Sequence, residues 1–218
     1  MTRALLFSVL LVSTSVSRLA AQHKYLSALE WSIAAPIGDT HNYRPTASYS
    51  GAVWEGRWMN GSNSSIGALL GFNEFYKRES GTTTFPAGAV TGDQYRHLLA
   101  VPILFTAHWY PMAEPDDPRW YVGGGGGFQY NEQLFQLGLD QRNRTNWSAV
   151  VVPEIGLAFS AWYATGGIIS LRYHLPSESS GFLGNRQRRF QYLSLSVGFG
   201  YRWAGGAAAS RGGLEWNP

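Results

Sequence analysis

From Phe190 to Trp203 apolar side chains occupy every second position: Leu193, Leu195, Val197, Phe199, Tyr201 and Trp203, with Tyr192, Ser194, Ser196, Gly198, Gly200 and Arg202 between them. Successive side chains of a strand point to opposite faces, so this segment has one greasy face and one small, polar face. The alternation recurs along the chain. Residues 25–35 divide into Leu29, Trp31 and Ile33 against Ala28, Glu30 and Ser32, and residues 48–59 into Ala52, Trp54, Gly56 and Trp58 against Val53, Glu55 and Arg57. In 66–77 the apolar set is Ala68, Leu70 and Phe72, until Glu74 interrupts it. Residues 95–110 set Leu99, Val101, Ile103, Phe105, Ala107 and Trp109 against Arg96, Thr106 and His108. In 147–159 Val151, Ile155, Leu157 and Phe159 oppose Glu154, and in 167–175 Ile169, Leu171, Tyr173 and Leu175 oppose Ser170, Arg172 and His174.

The remaining strand, 120–130, holds five consecutive glycines, Gly123 to Gly127, and its faces cannot be read. A phosphate-cradling loop would need a Lys-Ser/Thr ending and a following helix, which are missing here. The glycines read instead as a barrel strand where backbone curvature or a bulky neighbour needs the missing side chains. Eight strands separated by alternating long loops and short turns predict an all-β fold, an eight-stranded antiparallel up-and-down transmembrane β-barrel with the apolar set facing lipid. The long connections include 78–93, rich in Gly and Thr, and the stretch after Leu175. Trp58, Trp109, Trp120, Trp162 and Trp203 all fall at one predicted rim, the headgroup level that indole rings prefer.

The first residues change the picture from barrel to exported barrel. Arg3, an apolar run from Ala4 to Val12 and the small residues Ala20 and Ala21 read as a secretory signal over 1–21, leaving a barrel over 22–203 and a Gly/Ala/Ser-rich flexible tail over 204–218. No segment approaches the roughly 18 apolar residues of a spanning helix. Composition agrees: 12 Tyr, 11 Phe, 9 Trp and 26 Gly with only 14% charged residues is aromatic-rich and charge-poor for a soluble protein. Loss of Arg3 and Arg18 with the signal lowers the formal charge from +3 to +1, so the charge gives no reason to expect a nucleic-acid partner. Cysteine is absent, so no disulfide framework holds the fold.

The predicted inward set collects Glu30, Glu55, Arg57, Arg96, Glu154 and Arg172, both signs in one narrow lumen. Unpaired buried charges are costly, so an interlocked structural network of ion pairs is expected. Carboxylates mixed with as many guanidiniums stay ionised and make poor proton donors, which speaks against acid/base catalysis. The five histidines show no metal-ligand spacing, and neither a metal centre nor a cofactor is expected. Arg186, Arg188 and Arg189 cluster at the outer end before the last strand and are candidates for contact with lipopolysaccharide phosphates.

The segments EWSIAAPIGD, GDQYRHLLAVPILFTAHWY, RWYVGGGGG and LSVGFGYRW resemble the outer-membrane β-barrel domain family, the OmpA-like, OmpX-like and OmpW-like small barrels. The resemblance implies a location in the bacterial outer membrane, among outer-membrane lipid and lipopolysaccharide. It also implies periplasmic chaperones and insertion by the barrel-assembly machinery, which reads an aromatic-ended last strand such as Val197, Phe199, Tyr201 and Trp203. Such barrels usually stop at the terminal aromatic, whereas here fifteen residues follow Trp203. The expected role is non-enzymatic, in envelope structure or surface interaction through the outer loops. Two alternatives stand beside it. One is a PagL-like lipid A-modifying enzyme using His174, although Pro176 stands where that chemistry has Ser. The other is a soluble lipocalin-like barrel, which would turn the apolar set inward.

Overall fold

The computed structural model describes residues 24–43, 46–60, 63–85, 88–111, 118–137, 140–162, 165–177 and 189–204. The expected signal, the expected tail from Gly205 onward, and Arg186 and Arg188 lie outside the described residues. Eight strands run β1 (Lys24–Pro36), β2 (Ser48–Asn60), β3 (Ser64–Phe85), β4 (Gly88–Trp109), β5 (Arg119–Leu137), β6 (Asp140–Trp162), β7 (Thr165–Pro176) and β8 (Tyr192–Ala204). Each pairs antiparallel with its neighbour in sequence, and β1 pairs with β8, closing the barrel. Closure leaves no strand edge within the ring, the condition under which a sheet can cross hydrocarbon. No described helix is long and apolar enough to cross a membrane.

The alternation sorts as expected, apolar outside and polar inside. Phe105 and Phe199 are each 82% exposed, and Leu29, Phe128 and Val151 stand out beside them on the outer surface, whereas Glu30, Glu55, Arg57 and Arg172 are at most 1% exposed. This is the reverse of a soluble ligand-binding barrel, and it removes the lipocalin-like alternative. Lys24 lies opposite both Met59 and Ala204, so both ends of the described chain sit at one rim. Trp58 and Trp203 flank Tyr25 at that rim, and Trp109 starts its ladder at Ser64, beside the β2–β3 turn.

At the far rim the strands differ from expectation. Residues 78–93 are not a loop: β3 and β4 stay paired up to Phe85 and Gly88, with Gly81 opposite Gly92, both at positive φ. Glycine composition suggested a loop, but Thr82 to Thr84 and Val90 are good strand formers and each strand provides the other's ladder. Likewise β5 and β6 remain paired to Leu137 opposite Asp140. The partnership of β2 with β3 ends at Ser50 opposite Glu74, and that of β6 with β7 at Val150 opposite Pro176. Strands β3 to β6 therefore rise beyond the closed ring as a four-stranded sheet. A short helix, α1 (Asp39–Tyr43), which the strand pattern does not signal, lies at this mouth. Thr40 Oγ1 donates to the Arg189 carbonyl (3.2 Å) and the Ile37 amide to the Gln191 carbonyl (3.0 Å), tying the β1–β2 connection to the start of β8.

Candidate functional site

Narrowness decides what the lumen can be, since an eight-stranded ring leaves space that side chains fill. Three apolar clusters and two polar layers stack along it. Nearest the rim with the chain ends are Ala28, Tyr110, Tyr121, Ala158 and Ile168. The charged layer rests on them. Beyond it lie Val53, Leu69, Leu104, Val150 and Val152, then the hydrogen-bonded amides and hydroxyls of Asn73, Gln129, Asn131 and Ser148. Phe75, Leu98, Ala100, Phe190 and Tyr192 close the far end, with Phe75 edge-on to Phe190 at 5.6 Å.

In the charged layer two guanidiniums are clasped by three carboxylates from β1, β2 and β6. Arg172 on β7 holds Glu30 with two hydrogen bonds, Nη1 to Oε2 (2.9 Å) and Nη2 to Oε1 (3.0 Å). Its Nη2 also reaches Glu55 Oε2 (3.0 Å) and Glu154 Oε1 (3.2 Å). Arg57 Nη2 donates to Glu55 Oε2 (2.8 Å), Glu154 Oε1 (3.1 Å) and the Tyr121 hydroxyl (2.8 Å), and its Nη1 to the Tyr110 hydroxyl (3.2 Å). The Arg57 guanidinium lies 4.3 Å from the centre of the Tyr121 ring, and that tyrosine donates in turn to Glu154 Oε1 (2.8 Å). Ser170 Oγ completes Glu30 at 2.8 Å. Charge-assisted, shared bonds of this kind satisfy groups that would otherwise be expensive to bury.

Five of the six expected lumen charges meet in this layer. Arg96 does not. It stands twelve residues along β4 from His108, roughly 40 Å at 3.3 Å per residue, with its guanidinium 5.9 Å from the Phe135 ring on the rising sheet. Alternation reports which face a residue takes but not its height, and β4 is longer than the lumen. Conversely, His108, Ser65, Tyr110 and Tyr121 belong to the layer although the charge pattern does not single them out. His108 was legible as inward-facing, and Tyr121 has the parity of the inward set once the glycine run is counted through. Among the described residues Glu55, His108 and Glu154 form a group whose donor atoms lie within 4.8 Å of one another.

The glycine run now has a reason. A Cβ on Gly123 would meet the Ala107 carbonyl and the His108 ring, one on Gly125 the Phe105 carbonyl and Thr106, and one on Gly127 the Ile103 carbonyl. The inward glycines of β5 yield the lumen to β4, and Gly156 does the same for Tyr121. Because part of the obstruction at Gly123 is backbone, Gly123→Ala is expected to destabilise the barrel by about 1–3 kcal/mol through overpacking, read as a lower denaturant midpoint in detergent. Gly126→Ala, with nothing near its Cβ and an outward direction, should leave the midpoint unchanged.

His174 is 2% exposed, stacked 4.0 Å over Tyr192 and within 3.3 Å of Ser194 Oγ. It faces the lumen, away from any lipid-borne substrate. Of the closing-strand residues, Val197, Phe199 and Tyr201 line the outer surface, and Trp203 stands opposite Tyr25 in the seam that closes the ring. Arg189 is exposed beside α1.

No protein-family model and no curated protein sequence matches the chain. Among solved structures it is similar to the attachment invasion locus protein Ail of Yersinia pestis, solved with the heparin analogue sucrose octasulfate, at a TM-score of 0.52 and 9% identity over 84% of this chain and 99% of that one. It is also similar to Neisserial surface protein A (TM-score 0.49, 10% identity, 83% and 97% covered) and to outer membrane protein W of E. coli (TM-score 0.45, 14% identity, 84% and 98% covered). With its closed ring, apolar exterior and charged interior, the chain has the fold of the small OmpA/OmpX/OmpW-like outer-membrane β-barrels.

Proposed function

We propose that the protein is a non-enzymatic barrel of the bacterial outer membrane whose work is done by the sheet that β3 to β6 raise above the membrane. The observation that carries this reading is the combination of a lumen closed by stacked layers with strands that continue past the ring. A plugged barrel is a rigid mount, and recognition then falls to what the mount displays. The reading places the rim of the chain ends in the periplasm and the raised sheet outside the cell.

The chemistry of the sheet favours a multiply anionic sugar as the partner. Register and alternation put Arg96 and Phe135 side by side on the inner face, and Arg144 follows opposite Gln133 in the next row toward the barrel. Two guanidiniums on one face form a basic surface suited to a group that carries several negative charges. Lipopolysaccharide phosphates and sulfated glycans share this chemistry, and Ail was solved with one such sulfated sugar. The test is binding of sucrose octasulfate and of lipopolysaccharide to the protein in nanodiscs. Arg96→Gln with Arg144→Gln should weaken binding about tenfold and flatten its salt dependence. Binding that is absent, or indifferent to both substitutions, would overturn the anionic partner.

On the outer face of the same sheet Arg78 Nη2 and Ser80 Oγ each donate to Asp93 at 2.6 Å. The Ser80 hydrogen bond, with Arg78 beside it, holds the Asp93 carboxyl below its usual 3.8. A depressed folded pKa stabilises the hairpin at pH values above 3.8, and that contribution disappears as pH falls through the lower folded value. Amide exchange around Ser80 and Asp93 is expected to be pH-independent in its protection from pH 7 to 5 and to lose protection below pH 3.8. Asp93→Asn should abolish that acid step.

A further inference from the structure

The charged layer contains three carboxylates, Glu30, Glu55 and Glu154, against two guanidiniums, Arg57 and Arg172. Carboxylates thus outnumber guanidiniums by one in a fully buried layer, where an uncompensated ion is penalised. The excess is concentrated at one corner. The arginines' terminal nitrogens take Glu55 Oε2 and Glu154 Oε1, so the other two oxygens, Glu55 Oε1 and Glu154 Oε2, are left facing His108 Nε2.

The geometry points to a divalent-metal site of zinc type at that corner, with Glu55 Oε1, Glu154 Oε2 and His108 Nε2 as ligands. His108 Nε2 is 3.4 Å from each of the two oxygens. Nε2 makes a long hydrogen bond to Glu154 Oε2 while standing equally near Glu55 Oε1, to which it makes none. The spacing matches two donors held by one tetrahedral ion, because atoms each about 2.1 Å from the metal and at the tetrahedral angle stand about 3.4 Å apart. The surroundings have the outer contacts a ligated histidine and carboxylate need. The other ring nitrogen, Nδ1, lies 3.3 Å from Ser65 Oγ, which orients the imidazole, and Thr106 Oγ1 donates to Glu55 Oε1 at 3.3 Å. Arg172 Nε is 3.0 Å from Glu154 Oε2 but makes no directed hydrogen bond to it, so that oxygen keeps a lone pair for the ion. Three protein ligands leave a fourth position for water. Residues from β2, β4 and β6 make the site, which is why no sequence spacing announces it. Apolar clusters close both sides of the layer, so the ion must enter while the barrel folds.

The experiment refolds the full mature chain, without a histidine tag, from denaturant into detergent in the presence of Co²⁺ or Zn²⁺, removes free metal with a chelator, and measures bound metal and visible absorption. One equivalent retained, with the absorption bands of tetrahedral Co²⁺, is the expected result. His108→Gln should lose at least nine-tenths of the bound metal. Should that variant fail to fold, the spectrum of the unsubstituted protein decides by itself. No retained metal or no tetrahedral Co²⁺ bands in the folded wild type, or full retention by a folded His108→Gln, would overturn the site.

Discussion

Replacing Arg172 with methionine is expected to cost the folded barrel about 3–5 kcal/mol, the largest single-site effect among the described residues. The substitution removes the partner that Glu30 holds with both its oxygens and one of the two cations that Glu55 and Glu154 share. Three carboxylates would then face Arg57 alone in a layer buried from bulk solvent. The check is equilibrium unfolding in lipid vesicles or detergent, with intrinsic tryptophan emission as the signal. A second variant separates burial cost from packing: Arg172→Met with Glu30→Gln should recover a substantial part of the loss. Breaking a buried pair strands a charge, whereas removing both partners does not. If the double variant is as unstable as the single one, the layer acts through shape rather than charge.

The second large effect comes from the outer surface. Phe105 is 82% exposed on β4, in a band with Ile103, Phe128 and Val151. At such a position in a soluble protein a substitution changes stability by no more than about 0.5 kcal/mol. Facing the middle of a bilayer, Phe105→Arg should instead cost about 2–4 kcal/mol. Lys24→Arg, at the rim of the chain ends, is the control and should be neutral. The size of the Phe105→Arg effect thus reports what solvent the exterior meets. A value near zero would mean water.

Most of the ring is legible in the sequence. The face assignments of β1, β2, β4, β7 and β8 follow from alternation alone because one side of each strand meets apolar surroundings and the other a crowded polar lumen. The central charged layer was legible too, from Glu30, Glu55, Arg57, Glu154 and Arg172, since a narrow interior leaves buried ions nowhere else to go. Height along the strand was not. Arg96 has the right parity for the layer and the wrong altitude, and alternation, which repeats every two residues, holds no record of where the lumen ends. The rise of β3 to β6 past the ring was hidden for a related reason. Once a hairpin leaves the membrane, both faces turn polar and the period-two signal fades, although the backbone ladder continues unchanged. Gly123 to Gly127 were unreadable as a face pattern because glycine carries no side chain to alternate. Their role lies in the neighbours Thr106 and His108 that need the room. The charged layer draws residues from seven strands, from Glu30 on β1 to Arg172 on β7, and His108 joins it only through barrel closure.

Heat-modifiability of the protein in isolated outer membranes tests the central claim most directly, that this chain is a closed barrel with lipid outside and a sealed, charged interior. Boiled and unboiled samples are compared on a denaturing gel after fractionation of the cells. Recovery in the outer-membrane fraction, with the unboiled protein migrating apart from the boiled one, is the result the account predicts. Recovery in the soluble periplasm with no dependence on boiling would contradict it.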